Sequence, residues 1–333
     1  MTWSDASFAI SQSLGELGHN LLRNMHLWQR PSAPADARLD GQTIIVTGSN
    51  RTIGKEVAED MARRGARVLM ACRNVTLAET AAADIRSRIP NVVLVCYKLD
   101  LSSMKSVEEF VSQVTSEEKR IDVLINNAAM MTLHGREETG DGFEKMFGVN
   151  YLATVYLSLL LLPYMKKTSP DPRIILVASL AHTSVKDIQW EDLQSRARGE
   201  FSSYVATDVY SHTKLALLLF TREFAKRAHR EGVRVYAVDP GVSSSDLARD
   251  ASTGFRITLE LITPRIGRRS IRDAASSVLM PVMLPKDSYS PDVYHFCDGN
   301  STPVSRVAQD DEKAARLWKV TSDLLKLPSM LSP

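Results

Sequence analysis

From residue 41 onward the chain alternates short runs that are apolar along their whole length with longer stretches of helical composition. The apolar runs fall at 43–47, 67–72, 91–96, 121–125, 173–177 and 233–238. A strand that is apolar on both sides must be covered on both faces, and such strands separated by helices build a parallel sheet. Right-handed crossovers then set helices on either face, so the pattern predicts an α/β fold with a doubly wound sheet. The stretch 53–64 and an alanine-rich stretch ending at Arg88 supply the first two crossovers. The longest apolar run, 151–163, is broken by Thr154 and Ser158 and ends at Pro163. It falls short of the ~20 apolar residues that span a bilayer and is expected to be a buried core or interface helix.

Two extensions flank this region. In residues 1–40, Ile10, Leu14, Leu17, Leu21 and Trp28 recur at helical spacing with Met25 nearby. Gly15 and Gly18 weaken that helix, and Pro31 and Pro34 end it. Two readings stay open: a membrane-surface helix over residues 1–30 with Trp3, Phe8, Leu22, Leu27 and Trp28 set into lipid, or a helix docked on the main domain. At the other end, 310–327 is expected to be a helix whose apolar face includes Ala315, Leu317, Val320 and Leu324. The expected organisation is an amphipathic N-terminal extension (1–40), one domain (41–298) and a helical C-terminal extension (299–333).

Composition narrows the function. The 333 residues are 44% hydrophobic and 24% charged with a net charge of +2, which gives no electrostatic case for a nucleic-acid partner. The three cysteines, Cys72, Cys96 and Cys297, form no C-x-x-C, and the seven histidines form no ligand spacing. No disulfide framework and no metal site is therefore expected, and the cysteine usage fits a reducing compartment. The N-terminus lacks a basic start followed by an apolar core, so a cytoplasmic location, or a peripheral one on an intracellular membrane, is expected rather than secretion.

The candidate chemistry centres on Tyr210-Ser-His-Thr-Lys214. Residues four apart share a helix face, and an ammonium beside a phenol favours the phenolate, whose unperturbed pKa is about 10. Such a phenol can exchange a proton with an alcohol or carbonyl oxygen, and Ser179 can hydrogen-bond the same oxygen. Upstream, the first strand runs into Thr47-Gly-Ser-Asn-Arg-Thr-Ile-Gly54 and then a helix. Gly48 permits a tight turn, Gly54 lets the helix start close to the strand, and the helix N-terminus offers free N–H groups to a pyrophosphate. NAD-selective sites place a carboxylate at the end of the second strand to hold the ribose 2′-hydroxyl. The corresponding stretch here is Ala71-Cys-Arg-Asn74, with Arg73 there and Arg51 in the turn, so NADP(H) is expected over NAD(H).

With these motifs in this order, the chain resembles the short-chain dehydrogenase/reductase family, in the retinol-dehydrogenase-like branch that handles lipophilic alcohols and carbonyls. The resemblance covers about residues 41–298 and includes Leu99-Asp-Leu-Ser102, Asn126-Asn-Ala-Ala129, Gly148-Val-Asn-Tyr151, Ala178-Ser-Leu-Ala-His182 and Asp239-Pro-Gly-Val242. It implies a Rossmann-type sheet of about seven parallel strands and a nicotinamide dinucleotide. It implies a catalytic set of Asn150, Ser179, Tyr210 and Lys214, in which Lys214 also binds the nicotinamide ribose and Asn150 holds a water linking Lys214 to solvent. It places Gly48, Asn50, Arg51, Thr52, Ile53, Gly54, Arg73, Asp100, Leu101, Asn127, Tyr210, Lys214, Pro240 and Gly241 around the cofactor, with Ser245 in the place of a common threonine. Two positions depart from the family's glycines, Thr52 in the turn and Ala129 after the asparagines. A side chain at 52 crowds the diphosphate, or is strained if the site needs φ > 0.

The function implied is reversible hydride transfer to or from a lipophilic alcohol or carbonyl of the retinoid, steroid, polyprenoid or fatty-aldehyde class. Segment 185–203, with Trp190, Leu193 and Phe201, is expected near the pocket entrance, and 244–272, with Leu247, Phe255, Ile257, Leu259, Leu261 and Ile262, is expected to be a substrate lid. Self-association as a homodimer follows by analogy with the family. Two other readings remain: a non-catalytic nucleotide-binding sensor on the same fold, and a sugar-nucleotide epimerase. The three residues between Gly48 and Thr52, and the short segment after Val238, argue against the epimerase.

Overall fold

A computed structural model describes residues 36–132, 135–194, 205–241, 270–286, 295–297, 300–301 and 304–326. The N-terminal stripe, Phe201, Ser245, the side chain of Cys297 and nearly all of the expected lid therefore lie outside the described residues.

Each continuously apolar run forms a strand: β1 (Thr43–Thr47), β2 (Arg67–Cys72), β3 (Val93–Lys98), β4 (Val123–Asn126), β5 (Arg173–Val177) and β6 (Arg234–Asp239). A short β7 (His295–Cys297) continues the parallel ladder, and a two-residue β8 (Asn300–Ser301) closes the edge antiparallel. The order is β3-β2-β1-β4-β5-β6-β7-β8, so seven parallel strands stand as expected, with one antiparallel addition. Three strands keep the expected limits and β3 starts two residues late, because Asn91 is left-handed (φ +61) and turns the chain before the ladder begins.

The crossovers are α1 (Thr52–Arg63), α2 (Val75–Arg88), α3 (Met104–Glu117), α5 (Ala153–Thr168), α6 (Ala206–Arg230) and α7 (Ile271–Met283), with α8 (Asp311–Leu324) at the end. A single turn, α4 (Lys145–Phe147), runs through a π-helical segment, Gly148–Leu152, into α5. Two buried clusters reflect the double winding. Side chains of α1, α2 and α7 cover one sheet face; those of α3, α5, α6 and α8 cover the other. The continuous helical run Lys145–Thr168 is 24 residues long and apolar enough to cross a bilayer, longer than its apolar core alone suggests. Of its most apolar window 83% is buried in the domain, as a core helix requires.

The C-terminal helix docks with Leu317 and Leu324 of the expected face on the core, but without Ala315. Ala314, Leu317, Trp318 and Thr321 are buried, whereas Ala315 is exposed. Trp318 stacks on Phe220 of α6 with centroids 4.8 Å apart, and the Arg227 guanidinium lies 4.7 Å from the Trp318 ring.

Candidate active site

Strand order reverses between β1 and β4, and in an open parallel sheet the crevice beyond that switch point is the ligand site. The two strand ends are tied together there. Thr47 Oγ1 accepts from the N–H groups of Asn127 and Ala128, both at 3.0 Å, and Asn127 Nδ2 donates to the Thr47 carbonyl at 3.0 Å. Gly48 takes φ +65, and a Cβ on Gly54 would stand 2.4 Å from the Gly48 oxygen and 2.5 Å from Asn127 Nδ2. Both glycines are thus required by close approach of the turn to β4. Thr52 is held at φ +44, so the strain anticipated for a β-branched residue at this point is present.

The turn fits a phosphate group. Asn74 caps α2 and Ser103 caps α3 through their side chains, but α1 starts at Thr52 with no side-chain cap and no acid in its first turn. Its leading N–H groups, from Thr52, Ile53 and Gly54, therefore suit an anion. The turn also folds over the end of β2: Ser49 Oγ is 3.5 Å from Cys72 Sγ, and the Arg51 charge acts on that thiol. Burial, the largest influence there, raises the Cys72 pKa, with Ser49, Asn50 and Arg51 opposing it. Arg73 is exposed in the next turn, and its carbonyl accepts from Lys98 Nζ at 2.6 Å. Lys98, beside Cys72 in the ladder, is a third cation in this corner that the sequence reading missed. Asp100 holds its own turn, with Oδ1 accepting from the N–H and hydroxyl of Ser102, while Leu101 is buried beside it.

The reacting set converges at the ends of β5 and β6. Tyr210 and Lys214 lie one turn apart on α6, with Lys214 Nζ 5.6 Å from the centre of the Tyr210 ring. Lys214 is 2% exposed and donates to the Val177 carbonyl at 2.7 Å. Burial pushes its pKa down to about 8, against the opposing charge of Asp239. Burial also raises the Tyr210 pKa, Ser179 acts in the lowering direction, and Asp239 adds to the rise. Burial is the largest influence on the phenol and acts opposite in direction to the lowering expected from Lys214. Ser179 follows β5, where its Oγ accepts from Ala181 N–H at 3.2 Å.

Asn150 sits in the π segment, and its carboxamide is engaged at both ends. Oδ1 accepts from Met130 N–H and Nδ2 donates to the Met130 carbonyl, each at 2.8 Å. A π-bulge at this point turns the side chain toward the strand-β4 loop and ties that loop to α6, since Nδ2 also reaches Thr213 Oγ1 at 3.5 Å. Around Tyr210 the lining is apolar: Met146 and Val209 are buried with it, and Met130, Met131, Ala181 and Ala206 pack alongside. These methionines carry no motif, so sequence reasoning passed over them. Of segment 185–194, Trp190 packs on the core under Arg316 of α8, 4.1 Å from its guanidinium carbon. Leu193 and Ile188 line a small cleft against Val209, His212 and Thr213.

A family model described as short chain dehydrogenase matches residues 42–189. The mouse (Mus musculus) protein Retinol dehydrogenase 12 is 39% identical over 290 residues, which is 87% of this chain and 88% of that one. The human (Homo sapiens) Retinol dehydrogenase 11 is 38% identical over 295 residues, again 87% and 88%. The chain belongs to the short-chain dehydrogenase/reductase family. Within it the chain falls in the retinol-dehydrogenase-like branch. A crystal structure of an uncharacterised protein from Mycobacterium Paratuberculosis superposes with a TM-score of 0.69 at 30% identity, covering 90% of this chain and 98% of that one. As a short-chain dehydrogenase/reductase the protein is an oxidoreductase that works with a nicotinamide cofactor. Asn150 reaches Thr213 beside Tyr210, Ser179 acts on Tyr210, and Asn127 ties the Thr47–Gly48 turn to the end of β4.

Proposed function

We propose that this protein is an NADP(H)-dependent oxidoreductase that interconverts a lipophilic alcohol and its carbonyl, of the retinoid, steroid, polyprenoid or fatty-aldehyde class. The observation that carries the reading is the placement of Tyr210 beside Ser179 and Lys214 inside a methionine-lined apolar surround. Methionine adapts its shape to irregular apolar ligands, and two curated relatives are named retinol dehydrogenases.

When bound, the nicotinamide supplies the hydride chemistry. The rest falls to the chain. Tyr210 gives its proton to the substrate oxygen in reduction and takes it back in oxidation, and Ser179 Oγ holds the same oxygen. Lys214 supplies positive charge next to Tyr210, and Asn150 fixes the Met130 loop that walls the pocket. The Thr52, Ile53 and Gly54 N–H groups suit the diphosphate, and Arg51, Arg73 and Lys98 suit a 2′-phosphate. Pro240 and Gly241 suit the nicotinamide end and Asp100 the adenine end, with Leu101 beside it and Asn127 at the end of β4. The strained Thr52 favours one second reading, a nucleotide-binding sensor without turnover.

Fluorescence titration with NADPH and NADH, followed by all-trans-retinal, a steroid ketone or a polyprenal with absorbance read at the nicotinamide band, tests this reading. Tighter NADPH binding, and turnover lost in Tyr210→Phe, are expected. Binding without turnover on any of the three carbonyls points to the sensor.

A further inference from the structure

Asp239 is 2% exposed at the end of β6, and sequence analysis gave it no role. Its position is fixed by the ladder. Val177 pairs with Val238, and Ala178 N–H donates to the Val238 carbonyl at 2.7 Å, so Asp239 stands level with Ala178 and Ser179. Side chains alternate along a strand, and Asp239 shares its parity with Val235 and Ala237. Those two pack into the cluster that contains α6, so Asp239 is directed to the sheet face that carries Tyr210 and Lys214.

Its two oxygens have different surroundings. Oδ1 accepts from Gly241 N–H at 2.8 Å and so closes the turn through Pro240, where Gly241 takes φ +72. Oδ2 is buried and has no hydrogen-bond partner among the described residues. An ionised carboxylate is not left buried without compensating positive charge. Titratable groups acting with Asp239 come from two elements: Tyr210 and Lys214 on α6, and His182 in the turn after Ser179. Strand β7 places Cys297 opposite it in the ladder. Of these, Lys214 is the group whose charged form is positive at neutral pH; its Nζ donates to the Val177 carbonyl and acts on Asp239 through space rather than by a hydrogen bond.

We propose that Asp239 is a positioning residue of this site, acting as the counter-charge of buried Lys214 and as the latch of the Pro240–Gly241 turn. The proposal rests on the reading of Tyr210 and Lys214 as the proton-transfer pair, and it adds what keeps the lysine charged. A lysine buried as Lys214 is, with no counter-charge, would be driven toward the neutral amine, because desolvation already favours it. Asp239 opposes that loss by its charge, and it thereby couples the nicotinamide-side turn to the proton-transfer helix.

The test is a titration of Lys214 itself in the full-length protein labelled with 13C-lysine, read by NMR and assigned through the signal lost in Lys214→Arg. The wild-type midpoint is expected at about 8 or above. In Asp239→Asn, which keeps an acceptor for Gly241 N–H, the Lys214 midpoint should fall by about one pH unit or more, and other lysines should not move. Asp239→Ser removes the charge with a smaller side chain and should give the same fall. A wild-type midpoint well below 7, or an unchanged midpoint in either folded variant, overturns the proposal. No turnover is needed for this readout, so it is separate from the hydride-transfer reading, which stands or falls on Tyr210→Phe kinetics.

Discussion

At Thr52 a β-branched residue occupies a left-handed backbone position that glycine takes at little cost. The left-handed conformation costs an L-residue about 1–2 kcal/mol, whereas glycine costs about 0.5–1 kcal/mol in unfolded-state entropy. Thr52→Gly is therefore expected to leave stability equal or raise it by up to about 1 kcal/mol, checked by urea unfolding, and to tighten NADPH binding. A clear loss of stability would show that the Thr52 side chain makes a contact worth more than its strain. Gly54 behaves in the opposite way. In Gly54→Ala the new Cβ meets backbone at 2.4 Å, and overpacking of this kind costs about 1–3 kcal/mol and should weaken cofactor binding together with stability. The glycine positions were legible because close backbone approach there admits no Cβ. Asp239, Lys98 and Met130 were not, since an aspartate, a lysine or a methionine gains its meaning only from what the fold sets against it.

Among the elements, α8 shows how a docking face can be foreseen while one of its positions is misplaced. Helical spacing alone allowed Ala315 into the apolar face, but the aromatic pair Trp318 and Phe220 sets the rotation and turns Ala315 to solvent. Truncating a buried tryptophan typically costs about 3–5 kcal/mol; Trp318→Ala should lie near the lower end because Trp318 is 8% exposed. Thermal unfolding checks this, and a change below about 1 kcal/mol would mean that α8 contributes little to the domain. The turn after Ser179 brings a pH dependence. His182 is fully buried, with Nδ1 2.7 Å from the Ser179 carbonyl and Nε2 accepting from Ser305 N–H at 3.3 Å. The acceptor role at Nε2 places the proton on Nδ1 of a neutral ring. Burial holds the His182 pKa below its ordinary 6.5, opposed by the Ser179 carbonyl and by Asp239. Below pH 6.5 the unfolded chain binds more protons than the folded one at this site, so stability falls as pH drops from 6.5 to the folded value. Urea unfolding at pH 7.5 and 5.5 should show that loss, and His182→Asn should shrink the difference.

For the whole molecule, the sheet was readable because its central strands are buried on both faces and are apolar throughout. The three-residue β7 was not, since three residues carry no period. The active crevice follows from topology: reversal of strand order at β1 and β4 opens the cofactor side, and the ends of β5 and β6 bring Ser179 and Asp239 to α6. In the proposed reaction Tyr210 passes the proton while hydride moves between the cofactor and a lipophilic carbonyl. The most direct measurement follows the label: incubation with NADPH carrying deuterium at the transferable C4 position and all-trans-retinal, with the alcohol product analysed by mass spectrometry. The account predicts a product one mass unit heavier from the wild-type protein and a loss of at least about a hundredfold in its rate of formation in Tyr210→Phe, the scale of a general acid's contribution. Label transfer that persists at the wild-type rate in Tyr210→Phe would contradict it.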